Sequence, residues 1–96
     1  MYIYVIGPKT GPQKIGITNN LKHRLRAIQT GNPDKLFVHH FEEIDASRVR
    51  LLEKKIHHEL VHKRLKGEWF DLTIEEAIDF VIYFRIRYED DPLLGI

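Results

Sequence analysis

In the stretch His57-His58-Glu59-Leu60-Val61-His62, His58 and His62 stand four residues apart with Glu59 beside the first. On a helix, that H-E-x-x-H spacing puts two imidazoles on one face to hold zinc, with the glutamate as general base for peptide hydrolysis. A catalytic zinc also takes a third protein ligand. No spacing rule supplies one here: the extended form of the motif has glycine at position 65, and this chain has Leu65. The zinc-protease reading therefore rests on the bare motif and on both histidines sharing a helix.

Charge suggests a different ligand. The formal net charge is only +1, yet it is unevenly placed. Residues 1–67 carry 13 Lys and Arg against 6 Asp and Glu, whereas residues 68–96 carry 2 against 8, and all six histidines lie in the basic part. An anionic partner is the expectation for that part, with solvated helix faces and an acidic last helix packed against them as the plainer alternative. The absence of cysteine excludes a disulfide scaffold and a cysteine zinc ribbon. With no apolar run of membrane-spanning length and no signal-peptide layout, the expectation is a cytoplasmic protein with no membrane partner.

Whatever the chemistry, short elements must position it, because 96 residues suffice for one domain with a single modest core. Met1–Ile6 and Lys14–Ile17, separated by Gly7, Pro8, Gly11 and Pro12, read as a hairpin with a long turn. Asn19 or Asn20 caps a helix through Leu21, Leu25 and Ile28 that stops at Gly31-Asn32-Pro33. Leu36–Phe41 reads as a third strand. A long helix follows from about Ala46 to about Lys66, with Val49, Leu52, Ile56 and Leu60 as its core stripe and Gly67 as its stop. Glu68–Leu72 is a short extended piece. Thr73 and Glu76 have capping-box spacing and open a last helix. The order β-β-α-β-α-α predicts one α+β domain over residues 1–88, a small sheet flanked by helices, with a short acidic tail over 89–96.

Within this frame Tyr2-Ile3-Tyr4 lies on the first strand, Lys14-Ile15-Gly16 on the second, Arg24 on the first helix and Glu53 with His57 on the long helix; Gly67-Glu68-Trp69-Phe70 follows. This succession resembles the GIY-YIG nuclease superfamily, most closely its small phage and bacterial branch, also found in fungi, with "KIG", then "E…H", then "GEWF". The likeness runs from Tyr2 to about Leu72. It implies a three-stranded antiparallel sheet and a metal-dependent endonuclease acting on nucleic acid, with DNA as the expected substrate.

The resemblance also implies roles. Tyr4 would be the base or the holder of the attacking water, its phenol lowered by the charge of Lys14; Arg24 would clamp the scissile phosphate; Glu53 would hold one Mg²⁺ or Mn²⁺; His57 would touch a phosphate or orient Glu53. Lys22, His23, Lys54, Lys55 and Arg64, with Lys63 and Lys66, would track phosphates without reading sequence. Trp69 and Phe70 read as core anchors rather than base-stacking residues, and Glu68 has no evident place. The chain departs from the family pattern at Tyr2, Lys14 and Ile28, and has no match to its late asparagine. Taken singly, the same residues also read as strand aromatics, solvated cations and a Glu53 paired with Arg50 or His57. A catalytically silent module that binds nucleic acid or a protein is the competing expectation, and a protein partner supplying specificity fits either.

Overall fold

The computed structural model describes residues 1–88, so the expected acidic tail lies outside the described residues. Strand β1 (Tyr2–Gly7) is central: β2 (Gln13–Thr18) pairs with it on one side and β3 (Phe37–Glu43) on the other, both antiparallel. Two short strands, β4 (Arg64–Lys66) and β5 (Trp69–Phe70), form a hairpin whose second arm pairs with β2 at Gln13 and Lys14. The sheet has five antiparallel strands in the order β3-β1-β2-β5-β4. Among the described residues three α-helices complete it: α1 (Leu21–Gln29), α2 (Ala46–Glu59) and α3 (Ile74–Tyr88).

The class is α+β, but the expected three-stranded sheet and the order β-β-α-β-α-α are corrected to five strands and β-β-α-β-α-β-β-α. The misread stretch runs from Leu60 to Gly67, whereas the extended piece expected at Glu68–Leu72 is present and carries β5. Helix α2 stops at Glu59 because its apolar stripe runs out: Val49, Leu52, Ile56 and the capping Leu60 are buried, while Val61 to Gly67 are all exposed. With no face left to bury, the chain turns through a 3₁₀ segment at Val61–Lys63 and enters β4. Gly67 does adopt positive φ, at 58°, but it serves the turn of the β4–β5 hairpin rather than a helix end. Both uses need the same left-handed backbone, which is why the residue misleads.

Alternation along β1 sends its side chains to two cores. Ile3 and Val5, with Ile15 and Phe70, pack beneath α2 and α3, where Leu52, Ile56, Val81 and Phe84 complete a buried cluster. Tyr4 and Ile6 face the other way, and Leu21, Leu25 and Ile28 of α1 cover them together with Leu36 and Trp69. The expected stripes of α1 and α2 are therefore the faces that pack. Thr73 and Glu76 make the reciprocal capping bonds that their spacing implies.

Helix α1 starts where Asn20 accepts a hydrogen bond from the His23 amide at 3.0 Å. Asn20→Ala removes that acceptor and is expected to lower stability by about 1 kcal/mol, read from urea unfolding. No described helix is long and apolar enough to cross a membrane.

Candidate functional site

Tyr4 faces Gly16 across the β1–β2 ladder, and the missing side chain at Gly16 leaves room above that pair. A Cβ there would stand 2.5 Å from the Tyr4 hydroxyl and 2.6 Å from Glu68 Oε1, so both groups occupy space that only glycine leaves free. Arg24, in the first turns of α1, donates from Nε to the Tyr4 oxygen at 3.0 Å, and its Nη2 lies 3.4 Å from Glu68 Oε1. The Tyr4 hydroxyl in turn donates to that same oxygen at 3.4 Å. Lys14 Nζ is 3.6 Å from it and 5.4 Å from the centroid of the Trp69 ring. One carboxylate oxygen is thus surrounded by a guanidinium, an ammonium and a phenol.

Glu68 reaches this point because the chain beside it is tied to the side of β2 that β5 pairs with: the Ile15 amide donates to the Glu68 carbonyl at 3.1 Å. From the other face of the sheet, His57 on α2 donates from Nε2 to the Ile15 carbonyl at 2.8 Å and sets its ring edge-on to Phe70. Because the Ile15 carbonyl can only accept, that bond places a proton on Nε2. His57 is therefore a strap holding α2 to the strand edge, and Glu53, one turn before it, is brought to the same place. The expected contact of His57 with a phosphate is not what its Nε2 does.

The electrostatics follow from crowding. Burial pushes Glu53 up to about 7; the charge of Glu68 and a hydrogen bond to it push the same way, with Arg50 and Arg24 pulling back. Glu53 Oε2 is buried without a hydrogen-bond partner. Burial likewise pushes Tyr4 up to about 12, against the bond from Arg24, and Glu68 adds to the rise. The lowered phenol implied by the resemblance is absent: Tyr4 is a neutral hydroxyl at physiological pH. The Arg24 guanidinium is held even more firmly charged by its bond to Tyr4.

Glu53 has a consequence for folding. Its ordinary value is 4.5 and its folded value about 7, so between those pH values the folded state binds more protons than the unfolded one. The contribution of Glu53 to stability is full below about pH 4.5 and is lost as pH rises through about 7. Urea unfolding in chelator from pH 4.5 to 8 is expected to show a falling midpoint that Glu53→Gln flattens.

The remaining expected residues are less concentrated. Lys22 and His23 are exposed on α1 beside Arg24, and Lys54 is exposed on α2 beside Glu53. Lys55 is engaged elsewhere, 4.0 Å from Glu59 and over the Tyr88 ring. Arg64 lies exposed on β4 and donates from Nε to the Gly67 carbonyl. His58 and Glu59 end α2, whereas His62 lies in the 3₁₀ segment, so the zinc motif does not share one helix. Among the described residues no group of three or more His, Asp or Glu side chains is placed to hold a metal. Glu68 is the residue the sequence did not place. Its signal was a lone carboxylate between a turn glycine and a strand aromatic, meaningful only once β5 is paired with β2.

The family model of the T5orf172 domain matches residues 1–85. The chain belongs to the T5orf172 domain family. This corrects the resemblance to the GIY-YIG superfamily and its small phage, bacterial and fungal branch. A T5orf172 domain is compatible with a nucleic-acid-binding or endonuclease-like module. No curated protein and no solved structure matches the chain.

Proposed function

We propose that this T5orf172 domain is a metal-dependent endonuclease that hydrolyses phosphodiester bonds of nucleic acid, DNA being the expected substrate. The observation that carries the reading is the convergence of Tyr4, Lys14, Arg24 and Glu53 on Glu68, five polar side chains from separate segments, with Tyr4 and Glu68 meeting in the space that Gly16 leaves free. A fold needs no such gathering for stability, and it holds a carboxyl group near neutrality with one oxygen unpartnered.

A divalent cation fits these residues. Glu53 and Glu68 would hold Mg²⁺ or Mn²⁺, two carboxylates being the usual protein share for an ion that keeps several waters and takes phosphate oxygens. When bound, the ion supplies charge to the phosphate and to the departing 3′ oxygen. The chain supplies the rest. Glu68 Oε1 now sits on Arg24 and Lys14 where an anion fits, so a scissile phosphate takes its place there, with the planar fork of Arg24 fixing two oxygens. Tyr4 keeps its proton and orients the attacking water, whose oxygen forms the new P–O bond as the bond to the 3′ oxygen breaks, and the proton the water gives up to solvent is balanced by the one the departing 3′ oxygen takes from it. His57 keeps α2, and with it Glu53, at the strand edge.

One observation favours a catalytically silent nucleic-acid-binding module as the second reading: Glu68 already neutralises the clamp. Incubating the purified protein with supercoiled plasmid and with single-stranded DNA, in Mg²⁺, in Mn²⁺ and in chelator, separates the two. Cutting that requires the metal supports the nuclease; salt-sensitive binding without cutting in either metal supports the silent module.

A further inference from the structure

Trp69 has work left over. Its ring packs partly against Tyr4, Ile6 and Leu36, yet it also walls two open clefts. One, of about 300 Å³, contains Lys14 and Arg24 and is the approach to the phosphate clamp. The other, of about 250 Å³, lies among Trp69, Leu65, Pro8 and Pro12, with Asn32, Asp34 and Lys66 also in its lining. Trp69 and Asn32 belong to both, so the two clefts are neighbours across one aromatic ring.

Leu65 makes this second cleft hard to explain as packing. It is 57% exposed on the edge strand β4, outside both buried clusters. An indole, a leucine and two proline rings form apolar walls of low flexibility, and Asn32, Asp34 and Lys66 offer hydrogen-bonding groups among them. The Asn32 side chain is oriented by accepting from the Asp34 amide at 3.0 Å. Apolar walls with a few polar groups match a flat ring that is apolar on its faces and polar at its edge. The cations next door, Lys14 and Arg24, match the phosphate that such a ring carries with it.

We propose that this cleft seats one unpaired base of a nucleic-acid strand whose phosphate lies on Lys14 and Arg24, stacking it against Trp69. The substrate is then a single strand, or a duplex with a base extruded at the cut, because the faces and edge of a paired base are already covered. Sequence preference is weak, since every base has a face to stack. The proposal deepens the nucleic-acid reading above and rests on it.

Trp69 is the only tryptophan of the chain, so it reports on its own site. The wild-type protein, in chelator to prevent cutting, is titrated with a short single-stranded DNA, with an abasic strand of the same length, and with a blunt duplex, following tryptophan fluorescence and affinity. The base-bearing strand is expected to quench Trp69 and to bind roughly tenfold or more tighter than the abasic strand. Leu65→Ala, at an exposed position that spares the fold, is expected to weaken the base-bearing strand several-fold and leave the abasic strand unchanged. Equal affinity for the base-bearing and abasic strands, or a duplex bound as tightly as the single strand, would overturn the base seat while leaving phosphate binding intact. Failure of all three to bind would overturn the nucleic-acid reading, and the seat with it.

Discussion

Glu53→Gln is expected to reduce metal-dependent cleavage by at least about 10²- to 10³-fold while leaving the domain folded, because it removes a charge without removing volume. The neutral amide mimics the protonated carboxyl that burial already favours below about pH 7, so no core contact is lost. What disappears is the ability to present a carboxylate to a cation. The wild type should gain thermal stability from Mg²⁺, by about 2.7 kcal/mol at a hundredfold excess over its dissociation constant, and the variant should gain none. The pair of readouts separates a metal-holding role from a structural one. A variant that unfolds, or one that still gains stability from Mg²⁺, would count against the assignment.

Gly16→Ala is expected to be nearly as damaging, although it adds a single methyl and touches no charge. That methyl would meet the Tyr4 hydroxyl at 2.5 Å, the Tyr4 Cζ at 2.8 Å and Glu68 Oε1 at 2.6 Å. Glu68 is part-exposed and can move, but Tyr4 is fully buried, with its ring held under α1. The strand or the ring must shift, costing about 1–3 kcal/mol as overpacking does. A displacement near 1 Å at the reacting groups lowers kcat by roughly 10²-fold. Urea unfolding and single-turnover cleavage measure the two effects. Wild-type cleavage by a destabilised Gly16→Ala protein would mean that the Tyr4–Glu68 contact belongs to the fold alone.

The strands β1, β2 and β3 and the helices α1 and α3 were legible because each is long enough to show a period and is bounded by Gly, Pro or a capping residue. The stretch from Val61 to Gly67 was not, although Glu68–Leu72 did read as extended and carries β5. Lys63, Arg64, Leu65 and Lys66 are good helix formers, and strands of three and two residues are too short to show alternation. What ends α2 is a tertiary fact, the loss of any surface to pack against beyond Leu60. The same hairpin hid Glu68, whose position depends on β5 pairing with β2. Tyr4, Lys14, Arg24 and Glu53 were singled out by the order of their motifs, and the structure brings them together. The raised pKa values of Tyr4 and Glu53 had no sequence signal, because burial on the α1 face and the approach of Glu68 are set by packing.

In the proposed site Glu53 and Glu68 would hold one catalytic cation beside the Arg24–Lys14 clamp. The most direct test is plasmid cleavage across a Mn²⁺ titration for the wild type, Glu53→Gln and Glu68→Gln. Saturable cutting by the wild type, none by Glu53→Gln, and cutting by Glu68→Gln only at higher Mn²⁺ is the predicted pattern. Cutting by Glu53→Gln along the wild-type curve would contradict it.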